Sequence, residues 1–228
     1  MIRAMEGVPA SPHSGEGPIG GIPRPTPQLH AFFLEQKKAM AEADFSAMVS
    51  EITSLYHKYR DSLEAEPRGA ARARVLHRMM DAAVATASAV KVSCHKGCYG
   101  CCHSEVEITS DEVEVLLETI AAGTVVDRSR LELQAARERK SPEWAKFWST
   151  ENRCVFLDST GACGIYEHRP AACRRLLVTT PPEACTTLGA PLHPVRILLA
   201  EVLLSAALSL EAGGLASISK RLVPRLPA

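Results

Sequence analysis

Eight cysteines carry the chemistry open to this 228-residue chain, and all of them fall between Cys94 and Cys185. The first four sit in Cys94-His95-Lys96-Gly97-Cys98-Tyr99-Gly100-Cys101-Cys102-His103. The others, Cys154, Cys163, Cys173 and Cys185, are separated by eight, nine and eleven residues. Thiolates are soft ligands suited to zinc and to iron–sulfur clusters. A turn can aim closely spaced sulfurs at one point, and Gly97 and Gly100 permit the tight backbone this requires. Cys98-x2-Cys101 has the half-site spacing of zinc knuckles. All eight cysteines are therefore read as metal ligands, in one or two thiolate sites. Their even number also permits disulfides. A chain this long can fold without covalent staples, however, and Met1 to Pro27 shows no apolar run of secretory-signal length. The expected compartment is a reducing cytoplasm, where clustered cysteines are more often metal ligands than structural disulfides.

Adjacent side chains diverge, so Cys101 and Cys102 are expected to serve different metals, or one alone to ligate. Cys94, Cys98 and Cys101 share one glycine-bearing turn and can converge on a single metal at little loop-closure cost. Cys173 is the expected fourth ligand. Pro170 reads as the first residue of a helix, whose dipole would lower the Cys173 thiol pKa. Cys102 would then join members of the set Cys154, Cys163 and Cys185. Zn²⁺ on four thiolates carries two net negative charges, which a low-dielectric setting does not tolerate uncompensated. Lys96, Arg153, Arg169, Arg174 and Arg175 lie near cysteines in sequence and are the candidate counter-charges, the rival reading being ordinary surface charge. His95 and His103 are expected to support the ligands or face solvent rather than ligate. Tyr99 and Tyr166 are candidate shields against water.

The elements that must position these groups read as mostly helical. Eleven of the first 27 residues are Gly or Pro, which points to a disordered leader over 1–27. A helical N-terminal part spans 28–92, with stripes at Phe45, Met48, Ile52, Leu55, Tyr59 and Leu63, then Leu76, Met79, Ala83, Ala87 and Val90, broken at Pro67 and Gly69. The cysteine domain covers 93–186. Within it, Val106 to Thr109 reads as a strand, and Thr109 and Glu112 as a capping box opening a helix that stops at Gly123. A further helix is expected over Arg128 to Lys140, then a turn opening at Ser141-Pro142 with Trp144 and Trp148 as core or lid residues. Val155–Leu157 and Gly164–Tyr166 read as a hairpin. In 187–228, Pro194 to Leu210 is an apolar run too short and too charged to span a membrane. Its Glu201, Ser205 and Ser209 form a thin polar stripe on a core helix. The expected fold is mainly α: a helical domain with a cysteine-rich metal-binding insert of short strands and loops.

Three further motifs extend the cysteine pattern: Val106-x-Ile108-Thr109, Cys154-Val155-Phe156-Leu157, and Cys163-Gly164-Ile165-Tyr166-Glu167-x-Arg169-Pro170-x2-Cys173-Arg174. Together with Cys94-x3-Cys98-x2-Cys101-Cys102 they resemble the YkgJ-type cysteine-cluster family, the zinc- or iron-chelating CxxCxxCC domain, over roughly residues 90–185. Three residues separate Cys94 from Cys98 where the family's name gives two. The resemblance implies a bacterial metal-binding domain with the eight cysteines as ligands and zinc or iron as the metal, the iron also as a 4Fe–4S cluster. The domain also occurs in larger flagellin lysine methylases. The alternative to a binding module is therefore an iron–sulfur protein in electron transfer or assisting a methylase-like group transfer. Radical S-adenosylmethionine enzymes share the three-cysteine spacing but place an aromatic where Gly100 stands, and the chain has too few strands for their barrel.

Composition narrows the partners. Lys+Arg and Asp+Glu are both 26, so no strong basic field is available for nucleic acid, and aromatics at 5% offer no stacking platform. No Ser-His-Asp order, phosphate loop or dinucleotide fingerprint is present. The expected partners are a metal ion and a protein, without nucleic acid or membrane. Catalytic activity and oligomeric state stay open at this level.

Overall fold

The computed structural model describes residues 18–145, 149–187 and 189–227. The described residues form eight α-helices and four strands of two residues each, so the fold is mainly α. Three long helices come first: α1 (Pro27–Ala39), α2 (Glu42–Glu64) and α3 (Ala70–Ala85). The cysteine region contributes β1 (Glu107–Ile108), α4 (Ser110–Ala121), α5 (Arg128–Ala135), α6 (Ala171–Arg175) and β2 (Leu177–Val178). The chain closes with β3 (Pro194–Val195), α7 (Leu198–Ser209), β4 (Ala216–Ser217) and α8 (Ile218–Leu222). Both sheets are antiparallel pairs, β1 with β4 and β2 with β3, so each ties the cysteine region to the C-terminal segment.

Local sequence accounts for most of the boundaries. Helix α2 follows its stripe and buries Ile52, Tyr56 and Leu63. Gly69, at φ 89°, supplies the turn between α2 and α3. The buried face of α3 is Ala73, Leu76, His77, Met80 and Ala83. It is rotated from the expected stripe, and the helix ends at Ala85, leaving Val90 41% exposed. Both halves of the Thr109–Glu112 capping box are made at the start of α4. Helix α5 stops at Ala135, short of Lys140, as the chain leaves the helix for Arg137 to meet Asn152 and Arg139 to meet Glu107. The expected hairpin reduces to one bridge, Leu157 with Cys163, around an Asp158 turn. The apolar run after Pro194 begins as β3, and only its second part is helix α7, buried from Ala200 to Leu208. Among the described residues no helix is long and apolar enough to cross a membrane.

The leader expectation fails over residues 18–27. Ile22 is wholly buried, Arg24 donates to the carbonyl of Leu208, and the Thr26 side chain caps α1 by accepting from Leu29 N. Apolar Ile19 and Ile22 outweigh the Gly/Pro content there, because they dock beside Phe33, Tyr56 and Val202. Residues 1–17 of the expected leader lie outside the described residues, as does Trp148.

The hydrophobic clusters do not respect the boundary of the cysteine region. One joins Leu63, Leu76 and Met80 to Ala171 and Leu203, and another joins Ile108, Leu116, Phe156 and Ile165 to Ile218 and Leu222. Three buried carboxylates fasten these layers. Glu201 of α7 receives Arg175 at 2.5 Å and the Thr26 hydroxyl at 2.6 Å. Glu211 receives the Ser110 amide at 2.6 Å and hydroxyl at 2.9 Å. Glu112 accepts from the Thr109 and Ala171 amides at 3.0 and 2.7 Å and lies 3.1 Å from His77 Nε2.

Burial would push the Glu112 carboxyl up, but the His77 hydrogen bond and charge, with the two amides, hold it below its ordinary 4.5. A carboxylate whose folded pKa is depressed contributes stability above its unfolded value and loses that contribution as pH falls. Glu112→Ala, which strands His77 and two buried amides, is expected to cost about 3 kcal/mol at neutral pH in urea unfolding. Glu112→Gln is expected to flatten the loss of stability below about pH 4.5. An unchanged acid limb would show that Glu112 is not the coupled group.

Candidate metal centre

The cysteines ride on short elements that the helical body holds in place. Helix α6, bearing Cys173, has five residues and no propagation stability of its own. It is gripped from three helices. Glu112 of α4 takes the Ala171 amide, both Asp81 oxygens of α3 accept from Arg174 Nη1 at 2.6 and 2.9 Å, and Glu201 of α7 takes Arg175. Arg174 also donates to the carbonyls of Arg169 (2.6 Å) and Glu167 (2.5 Å), so the approach to α6 is fixed as well. Arg174 and Arg175 are thus engaged by carboxylates of the helical body.

Each predicted ligand can now be placed. Cys94 Sγ lies 3.4 Å from the Val178 amide of β2 and 3.9 Å from the Leu176 carbonyl. Cys98 follows Gly97, whose φ of 94° turns the chain. Cys101 and Cys102 are adjacent in the 3₁₀ segment Gly100–His103, which is kinked at Cys102 (φ −78°, ψ 18°). The Cys154 amide donates to the Cys102 carbonyl at 2.7 Å. Cys154 and Cys163 pack against the cluster of Ile108, Leu131 and Phe156. Cys185, in the turn Ala184–Thr186, lies against Gly100, with its carbonyl oxygen 3.0 Å from where a Cβ on that glycine would stand. All eight are free thiols, and Cys101 is the exposed one. As they stand, no three His, Cys, Asp or Glu side chains among the described residues converge closely enough to enclose a metal.

Mutual influence sorts the thiols into two neighbourhoods that meet at Cys101–Cys102. Burial, then the charges of Cys98 and Cys94, push Cys185 up to about 11. Burial, then the charges of Cys101, Cys154 and Cys163, push Cys173 well above the ordinary thiol range. One expectation needs correction: Cys173 is raised rather than lowered, since desolvation outweighs the dipole of so short a helix. Cys185 also adjoins the Cys94–Cys101 turn, because Gly100 admits its backbone there. Burial raises Cys94 and Cys163 as well, and takes Cys154 to about 11. Cys101 alone falls, to about 7, because the Cys102 thiol donates to it, which in turn raises Cys102. Metal uptake by thiols in this state releases protons.

The flanking groups divide unevenly. His95 is exposed, with Nδ1 2.9 Å from the Ser93 carbonyl. His103 is buried behind the turn, its ring tilted against Tyr99, and burial lowers its pKa. The Tyr99 ring covers Gly161, with one ring carbon 2.9 Å from where a Cβ would stand. Trp144 lies beneath the Arg137 guanidinium at 4.8 Å. The sequence reading passed over His77, Asp81 and Glu201 as positioning residues. Glu201 was visible as a polar break in an apolar helix, and His77 sits next to Leu76 on α3, but nothing local identified their partners.

Residues 93–186 match the family model CxxCxxCC, described as a "putative zinc- or iron-chelating domain". No curated protein and no solved structure matches the chain.

The Gly100–Cys185 approach is open to a direct check. Gly100→Val should force the two turns apart and increase alkylation of Cys185 several-fold, read by mass spectrometry of the metal-free protein, with Cys173 unchanged. Equal labelling of Cys185 in both proteins would contradict the contact.

Proposed function

We propose that the protein binds zinc or iron through Cys94, Cys98, Cys101, Cys102, Cys154, Cys163, Cys173 and Cys185. One observation carries the reading: Cys185 lies against Gly100 and the Cys154 amide bonds the Cys102 carbonyl, so free cysteines from distant segments meet the Gly100–His103 segment, while Glu112 and Asp81 anchor the helix bearing Cys173. The donor set is entirely soft sulfur, which fits tetrahedral zinc and iron–sulfur clusters equally. Cys94, Cys98, Cys101 and Cys185 would hold one metal and Cys102, Cys154, Cys163 and Cys173 a second, following the two neighbourhoods. Bound zinc would supply a structural tie or an exchangeable ion, and bound iron an electron-carrying cluster. A reducing cytoplasm is the compartment in which thiols of this kind persist.

Anaerobic purification followed by metal and acid-labile sulfide analysis tests the reading. About two zinc ions per chain without sulfide, or iron with stoichiometric sulfide, would support it. A chain that retains neither metal and takes up neither on reconstitution would overturn it. Cys98→Ser and Cys102→Ser are each expected to remove one metal and leave the other. Identical residual metal in the two variants, with the same spectrum, would refute the division into two sets.

A further inference from the structure

The arm that precedes α1, residues 18–26, is tied to two buried glutamates that also reach into the cysteine region. Thr26 Oγ1 donates to Glu201 Oε2 at 2.6 Å, while Arg175 Nη1 of α6 donates to Glu201 Oε1 at 2.5 Å. The Thr26 amide donates to Ser205 Oγ at 3.0 Å, and that hydroxyl donates to the Glu201 carbonyl at 2.8 Å. Thr26, Glu201 and Ser205 are all buried. Two residues upstream, Arg24 donates to the carbonyls of Leu208 and Glu211. The Glu211 carboxylate in turn holds the Ser110 amide at the start of α4. Ile22, wholly buried beside Phe33 and Val202, fixes the arm against the helical body.

Arg175 stands two residues from Cys173. Its Nε is buried with no hydrogen-bond partner among the described residues, so the hold on its guanidinium comes from Glu201. Glu201 receives α6 on one carboxylate oxygen and the arm on the other. A buried carboxylate that loses one partner must be rehydrated or move, and either response disturbs its other bond. We propose that the arm is a strap coupled to the cysteine centre, with Thr26 positioning Cys173 through Glu201 and Arg175. Docking of the arm steadies α6, and metal held by Cys173 steadies the arm in return, because coupling between two sites is reciprocal. The metal side of this coupling rests on the thiolate reading above.

The test uses the full chain. Thr26→Val removes the hydroxyl at nearly constant shape, and Thr26→Ser restores it. In the metal-free protein, Cys173 should be alkylated about fivefold or more faster in Thr26→Val. Thr26→Ser should return it to the original rate, and Cys185 should not change in either variant. Thr26 also caps α1, so a cycle with Arg175→Met separates the two roles. A hydroxyl acting through Glu201 adds little to Cys173 labelling once the guanidinium is gone. Circular dichroism reports folding, and Arg175→Gln replaces Arg175→Met if the latter does not fold. An unchanged Cys173 rate in Thr26→Val, or fully additive effects in the cycle, overturns the proposal. The reverse direction is read by hydrogen exchange of residues 18–29 with and without saturating zinc. Zinc should slow exchange of the arm in the unsubstituted chain and not in Arg175→Met. Zinc bound without any slowing overturns the proposal alone. Absence of zinc uptake by the unsubstituted chain instead overturns the thiolate reading, and the metal side of the coupling with it, while the alkylation cycle still decides the link from arm to α6.

Discussion

The junction at α6 is the constraint on which the remaining structure depends. A five-residue helix cannot hold itself together, yet Cys173 and the approach through Arg169 are positioned by it. Three acidic side chains from three different helices supply what the helix lacks. Asp81 fixes its last turn from α3, Glu112 takes its first amide from α4, and Glu201 takes Arg175 from α7. Each bond connects a residue of the cysteine region to one of the long helices or their capped neighbours. Glu112 and Glu201 are buried, so removing either leaves an uncompensated group, and the arrangement is stiff in a way that apolar packing alone would not make it.

The buried carboxylates also explain why the cysteine region is not a detachable insert. One apolar cluster joins residues before, within and after the region, and another joins residues within and after it. Strands β1 and β2 pair with β4 and β3 from the C-terminal segment. The thiols therefore sit on loops whose ends belong to one continuous body. On the proposed metal-binding reading, that body would lower the ordering cost of binding by fixing the ends of the cysteine loops beforehand. A metal would still have to deprotonate raised thiols and draw the side chains together.

Much of this was legible in sequence where the signal was local. The capping box at Thr109, the break at Gly69, the polar stripe on α7 and the clustering of cysteines each depend on residues within a turn or two of one another. The misreadings share a different cause. The approach of Cys185 to the first cysteine turn was not readable because that contact, Cys185 against Gly100, spans most of the cysteine region. His77 looked incidental because its partner Glu112 lies 35 residues away. Residues 18–27 looked like a leader because composition hides two well-placed isoleucines, and the dipole argument for Cys173 ignored how thoroughly α6 is buried. Contacts distant in sequence, and the desolvation that accompanies them, are what spacing cannot report.

The central claim is that the metal is held by sulfur alone. X-ray absorption at the metal edge of the loaded, full-length protein measures that most directly. The account predicts a first shell fitted by sulfur, at about 2.3 Å for zinc, with iron–iron scattering added if the metal is a cluster. A shell dominated by nitrogen or oxygen donors would contradict it.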